Sequence, residues 1–102
     1  MVSSSEAFDR FWMWKNSRTL LNVTLWEKGK APVEFLGAVS FPDEDSLVVG
    51  FLNHDTRSPV PPIRFEDCTF RLGDKILFAD RAGEEFFECE DTGKIWTPVK
   101  GL

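Results

Sequence analysis

Hydrophobic positions near the N-terminus recur at helical spacing. Phe8, Phe11 and Trp12 stand at i, i+3 and i+4, and Ala7 and Trp14 widen the apolar face. Ser4 or Ser5 can cap the segment. Glu6 and Asp9 put negative charge in the first turn, with Lys15 and Arg18 at the other end, where the helix dipole favours each sign. The pattern predicts a helix over 5–15.

From Leu20 onward the period drops to two. Leu21, Val23 and Leu25 alternate with Asn22 and Thr24. Glu27-Lys28-Gly29 reads as a three-residue hairpin loop with Gly in the left-handed position. It would set Leu25 opposite Ala31, Val23 opposite Val33 and Leu21 opposite Phe35, with Val39 and Phe41 on the same buried face. Pro42 to Ser46 forms the next turn, and Leu47, Val49 and Phe51 continue that face. A Pro-rich, irregular connection is expected over 53–62.

The second half reads as a meander with strands near 67–72, 75–80, 85–90 and 94–99. Its turns are Gly73-Asp74, Arg81-Ala82-Gly83 and Asp91-Thr92-Gly93. These registers give two apolar faces. One carries Cys68, Phe70, Leu72, Leu77, Ala79, Phe87, Cys89 and Ile95. The other carries Ile76, Phe78, Phe86 and Trp96 among charged and polar neighbours, with Phe78 directly opposite Phe86. The second face needs a cover, either the N-terminal helix or another copy of the chain or a partner. Phe78, Phe86, Trp96 and Ile76 are therefore the expected interface, and Trp14 and Trp26 are candidates for an aromatic pair facing a ligand or partner.

The fold class is α+β, mainly β: one helix, then six or seven antiparallel strands forming a bent sheet, a roll or a small barrel. A single domain over 1–102 is expected, divided into a helix at 5–15, a first β-meander at 20–52, the 53–62 loop and a second meander at 63–100.

Composition narrows the function. The 102 residues are 42% hydrophobic and 28% charged, an ordinary globular balance. A formal charge of −5 argues against nucleic-acid and membrane-surface binding, which clustered Lys and Arg drive. The first residues lack a basic stretch followed by an apolar run, so neither a signal peptide nor a membrane span is expected, and cytoplasmic is the default. Asn22-Val23-Thr24 then fits the glycosylation pattern by chance.

Candidate chemistry is sparse. With one His and two Cys, no cofactor or metal is called for. Cys68 and Cys89 fall on strands separated by another, roughly 10 Å apart, too far for a disulfide. They read as buried, inert thiols. The single His lies in Asn53-His54-Asp55-Thr56-Arg57, where His54 and Asp55 could form an acid–base pair with Arg57 holding an anion, or Asp55 could cap the turn. Pro59 to Arg64 has the P-x-x-P-x-Arg form of polyproline ligands, although stiffening a crossover explains it as well. Asp43-Glu44-Asp45 lacks the oxygen spacing of a calcium loop. Glu84, Glu85, Glu88, Glu90 and Asp91 look like a solvated strand face, with Glu90 and Lys94 forming a surface ion pair. The reading that emerges is a non-enzymatic binding or interaction module acting as a homodimer or on another protein, with a small ligand possible at a barrel mouth. The alternative is a small enzyme built on His54 and Asp55.

Overall fold

A computed structural model describes residues 4–27 and 29–96. Lys28 of the first hairpin and the part of the expected last strand beyond 96 lie outside the described residues. Helix α1 runs Ser4–Ser17 and is followed by seven strands: β1 Thr19–Leu25, β2 Val33–Asp43, β3 Val48–Asn53, β4 Pro59–Arg64, β5 Thr69–Leu72, β6 Lys75–Ala79 and β7 Glu85–Ile95. All pairings are antiparallel, in one open sheet of order β4-β3-β2-β1-β7-β6-β5. Each half is a meander, and the first and last strands pair at the centre.

The sheet is strongly bent, and the chain itself shows why. Seven strands laid flat would span about 29 Å at ~4.8 Å per spacing. The two edge strands are joined by residues 65–68 alone, so Arg64 and Thr69 lie at most about 18 Å apart. The edges must curl toward each other. Phe65 fills the space between them: it is buried, and its ring centroid lies 3.9 Å from that of Phe78 on β6 and 5.2 Å from that of Phe87 on β7.

Helix α1 occupies the concave side. Its buried stripe is Ala7, Phe8, Phe11 and Trp14, at i, i+1, i+4 and i+7. Trp12 is not part of it; this side chain is 43% exposed, and Trp14 takes the core position. Phe11 meets the rings of Phe8, Trp14, Phe51, Phe65, Phe78 and Phe87 at centroid distances of 5.7–6.5 Å. Ser5 does not cap; the helix starts before it, and its hydroxyl donates to Glu44 Oε2. Phe suits such an interior because it carries no hydroxyl that burial would leave without a partner.

Register corrections all trace to irregular pairing. In the first hairpin the observed partners are Leu25–Val33, Val23–Phe35 and Leu21–Gly37, two residues beyond the expected register. Pro32 has no N–H to give to the ladder, so pairing starts at Val33. A shift of two preserves the faces, and Gly29 has the expected positive φ. On β2 a bulge at Ser40 reverses the alternation, which moves Phe41 to the opposite face from the one expected. There its ring covers Gly50, where any Cβ would collide with it.

The segment expected to be an irregular connection is partly strand: β4 begins at Pro59 and pairs with β3. Three prolines on an edge strand deny a neighbouring chain the N–H groups that would extend the sheet.

The second half carries one apolar face, not two. The β5–β6 pairing sets Phe70 opposite Phe78 and Leu72 opposite Ile76, one residue from the expected register. The β6–β7 turn forms as expected, with Asp80 N donating to Glu84 O and Ala79 opposite Glu85, but Phe86 then bulges and Phe78 pairs with Phe87. Ile76 and Phe78 thereby join Phe87 and Cys89 inside the core, all at 0% exposure. Asp91-Thr92-Gly93 is not a hairpin turn. It is a bulge within β7, supported by Gly93 at φ 79° and by the Thr92 hydroxyl donating to Leu20 O, and β7 stays paired with β1 on both sides of it.

The helix register is checked by three alanine variants in urea denaturation. Phe11→Ala and Trp14→Ala are each expected to cost about 3–5 kcal/mol, a large share of the ~5–15 kcal/mol typical of a domain. Trp12→Ala should cost about 1 kcal/mol or less. Equal costs at positions 12 and 14 would refute the assigned face.

Candidate functional site: a cationic cleft beside Trp96

At the end of β3 the chain turns sharply, and Asn53 builds the turn. Its Oδ1 accepts the N–H of Asp55 (2.9 Å) and of Thr56 (3.1 Å), and its carbonyl accepts the N–H of Arg57. Asp55 therefore does not cap the turn. Its Oδ1 lies 3.4 Å from His54 Nδ1, a long contact for a charged pair, and its side chain is 78% exposed. His54 is tied to β2 by its N–H, which donates to Leu36 O.

Trp96 reaches this turn from the end of β7. Its N–H donates to Arg18 O, which anchors it to the chain between α1 and β1. Its ring stands perpendicular to the His54 imidazole at a centroid distance of 5.2 Å, and the Arg57 guanidinium lies over it at 4.6 Å. A cleft of about 210 Å³ adjoins the indole, lined by Lys15, Arg18, Ala38, Val39, Leu52 and Trp96. Among the described residues no carboxylate side chain lines it. The ammonium of Lys15 lies 5.7 Å from the ring centre of Trp12. The described lining of the cleft thus combines two cationic residues, three aliphatic residues and one tryptophan.

Two arginines at this cleft hold an uncommon backbone conformation. Arg18 has φ 54° and Arg57 φ 60°. For a side chain with a Cβ, the left-handed region costs roughly 1–2 kcal/mol, which glycine avoids. Arg18 also ends the helix there, its N–H donating to Lys15 O.

The sequence-predicted residues divide sharply. His54, Asp55, Arg57 and Trp96 come together. Ile76, Phe78 and Trp14 are core, at 0%, 0% and 1% exposure, and cannot serve as a surface in this fold. Phe86 is half-buried, 6.2 Å from Phe65. Trp26 is half-buried at the opposite end of β1 from the cleft and forms no pair with Trp14. The sequence reading missed Lys15 and Arg18 as site residues because cations at a helix C-terminus are already accounted for by the dipole. Ala38, Val39 and Leu52 carried no signal beyond strand alternation.

The other candidates hold no site. Pro59–Arg64 is committed to the sheet, so it is not available as a free polyproline helix. Glu44 accepts from Ser5 and Asp43 from the Ser46 N–H, and among the described residues no three His, Cys, Asp or Glu side chains gather as metal ligands. Lys75 pairs with Glu88 at 2.7 Å, whose hydrogen bond raises the lysine pKa. The expected Glu90–Lys94 pair is absent from the ion pairs of the described residues, since the β7 bulge puts Lys94 opposite Leu20 while Glu90 faces Lys75 and Asn22. A depression of about 150 Å³ beside Thr69 contains both Arg71 and Glu85, which face each other at 4.0 Å.

Comparison of the chain with protein-family models, with curated proteins and with solved structures finds no match. Among the described residues no helix is long and apolar enough to cross a membrane.

Both cysteines are free thiols, as expected, with Cys89 buried and Cys68 half-buried. Burial, then the charges of Asp91 and Glu88, push the Cys89 thiol well above its ordinary value of 9.0. The folded state thus binds a proton that the unfolded chain loses near that pH. The contribution is complete below about pH 9 and falls away above it, by up to ~1.4 kcal/mol per pH unit. Denaturation between pH 8 and 10.5 should show this loss for the native chain and a shallower one for Cys89→Ala; parallel curves would contradict it.

Proposed function

We propose that the protein is a small binding module whose ligand occupies the cleft beside Trp96. The observation that carries this reading is the arrangement around the indole: one ring held by His54 on one side and Arg57 on another, opening onto a cleft with an aliphatic floor and two cations in its wall. Pockets that orient small ligands combine apolar walls with a few placed polar groups in this way. At about 210 Å³ the cleft suits a small molecule rather than a protein segment. Ile76 and Phe78 lie inside, in one core with the buried residues of α1, and so need no second copy as a cover.

The enzymatic alternative rests on His54 and Asp55. Asp55 is exposed and only distantly in contact with the imidazole, which is weak support for an acid–base pair. Both thiols are drawn into other parts of the fold: Cys89 into the core, and Cys68 toward Glu66 O. Binding is the better use of this geometry.

A fragment screen read by amide and indole N–H NMR shifts tests the proposal. Hits are expected to perturb Ala38, Leu52 and the Trp96 indole, and Trp96→Ala should abolish those shifts while the core resonances of Phe51 and Phe87 stay in place. Hits that cluster elsewhere and survive Trp96→Ala would overturn it. Turnover of a hit compound that His54→Asn abolishes would restore the enzymatic reading.

A further inference from the structure

We infer that the cleft selects a small organic carboxylate, a singly charged acid group on an apolar body. The inference rests on the reading of this cleft as a ligand site and adds the chemical class. In a chain of net charge −5, a concavity whose wall, among the described residues, holds two cationic residues and no carboxylate side chain is a local reversal of sign. Among the described residues neither Lys15 nor Arg18 is engaged in an ion pair, whereas five other cations are within 4.0 Å of a carboxylate. The Arg18 guanidinium offers the planar fork that matches a carboxylate.

Two features favour a single negative charge over a phosphate. A helix N-terminus, with its free N–H groups, is a ready site for a phosphate. Here α1 presents its C-terminal end, which is partially negative and offsets part of the field of the two cations. The remaining lining, Ala38, Val39, Leu52 and the indole of Trp96, offers contact to hydrocarbon or an aromatic ring.

The backbone points the same way. Arg18 occupies a left-handed position that glycine or asparagine would fill with less strain, which fits a role for its side chain in the cleft. That gives a clean separation of binding from folding.

The test titrates the full chain with phenylacetate, its neutral isostere phenylacetamide and phenyl phosphate, following the Trp96 indole N–H by NMR. Phenylacetate is expected to bind at least tenfold more tightly than the amide and more tightly than phenyl phosphate, and to weaken as salt rises. Arg18→Gly should lose at least tenfold in phenylacetate affinity with an unchanged or raised Tm, and Arg18→Asn, which also tolerates this backbone, should lose as much. An amide that binds as well as the acid, a phosphate ester that binds better, or full affinity in both Arg18 variants overturns the inference while leaving a ligand cleft in place. If none of the three compounds moves the indole resonance, the inference falls. The fragment screen then decides separately whether the cleft is a site at all.

Discussion

The ring of Phe11 is the contact on which this structure depends. Six aromatic rings converge on it from α1, β3, the 65–68 link, β6 and β7. These elements are distant in sequence and share one constraint, the short link between the two edge strands. Four residues cannot span a flat seven-stranded sheet, so the sheet must coil, and a coiled sheet needs a filling. The helix supplies it through Phe8, Phe11 and Trp14, and the link supplies Phe65. Hydrophobic burial drives the arrangement, and the edge-to-face and tilted ring contacts give it a defined geometry.

Coiling requires bulges, and the bulges are what separated the sequence reading from the structure. Turn residues announce themselves: Gly29 and Gly83 adopt positive φ where the hairpin loops were expected, and the Asp80–Glu84 closure forms. An extra residue inside a strand leaves no comparable mark. Ser40 and Phe86 look like ordinary strand positions, yet each reverses the alternation that follows it. The apparent second apolar face of the C-terminal half arose from counting across such a point and across a β5–β6 turn one residue too short. Ile76 and Phe78 then seemed to demand a partner that the helix already provides. Thr92-Gly93 misled in the opposite sense, because a Gly with positive φ serves a bulge as well as a turn. The helix itself was legible, but the choice between Trp12 and Trp14 was not, since both flank the same stripe and only the position of β2 and β3 decides between them.

The cleft was legible in pieces. His54 and Arg57 stood out by type and spacing, and Trp96 by its place among charged neighbours. What joined them was long-range: the Trp96 N–H reaches Arg18 O across most of the chain. A formal charge of −5 also conceals local sign. The 17 carboxylates are spread along the chain, while the described wall of the cleft holds Lys15 and Arg18. Net charge constrains partners that contact a large surface, and says little about a ligand that meets six residues.

The left-handed residues tie the fold to the site. Among the described residues four non-glycine residues take positive φ, and each makes a contact through its side chain or backbone. Leu47 packs against the core and its carbonyl receives the Phe65 N–H, which fixes the link. Asp67 pairs with Arg81 at 2.6 Å on the approach to β5. Arg57 lies over Trp96, and Arg18 closes the helix and lines the cleft. The first two sit where the sheet edges are drawn together, and the other two stand beside the Trp96 indole that lines the cleft. Helix α1 must lie inside the coil for the core to fill, its last turn must then emerge where β1 begins, and the chain must reverse there within one residue. That reversal is Arg18. The same geometric demand that closes the core therefore places an arginine beside the cleft.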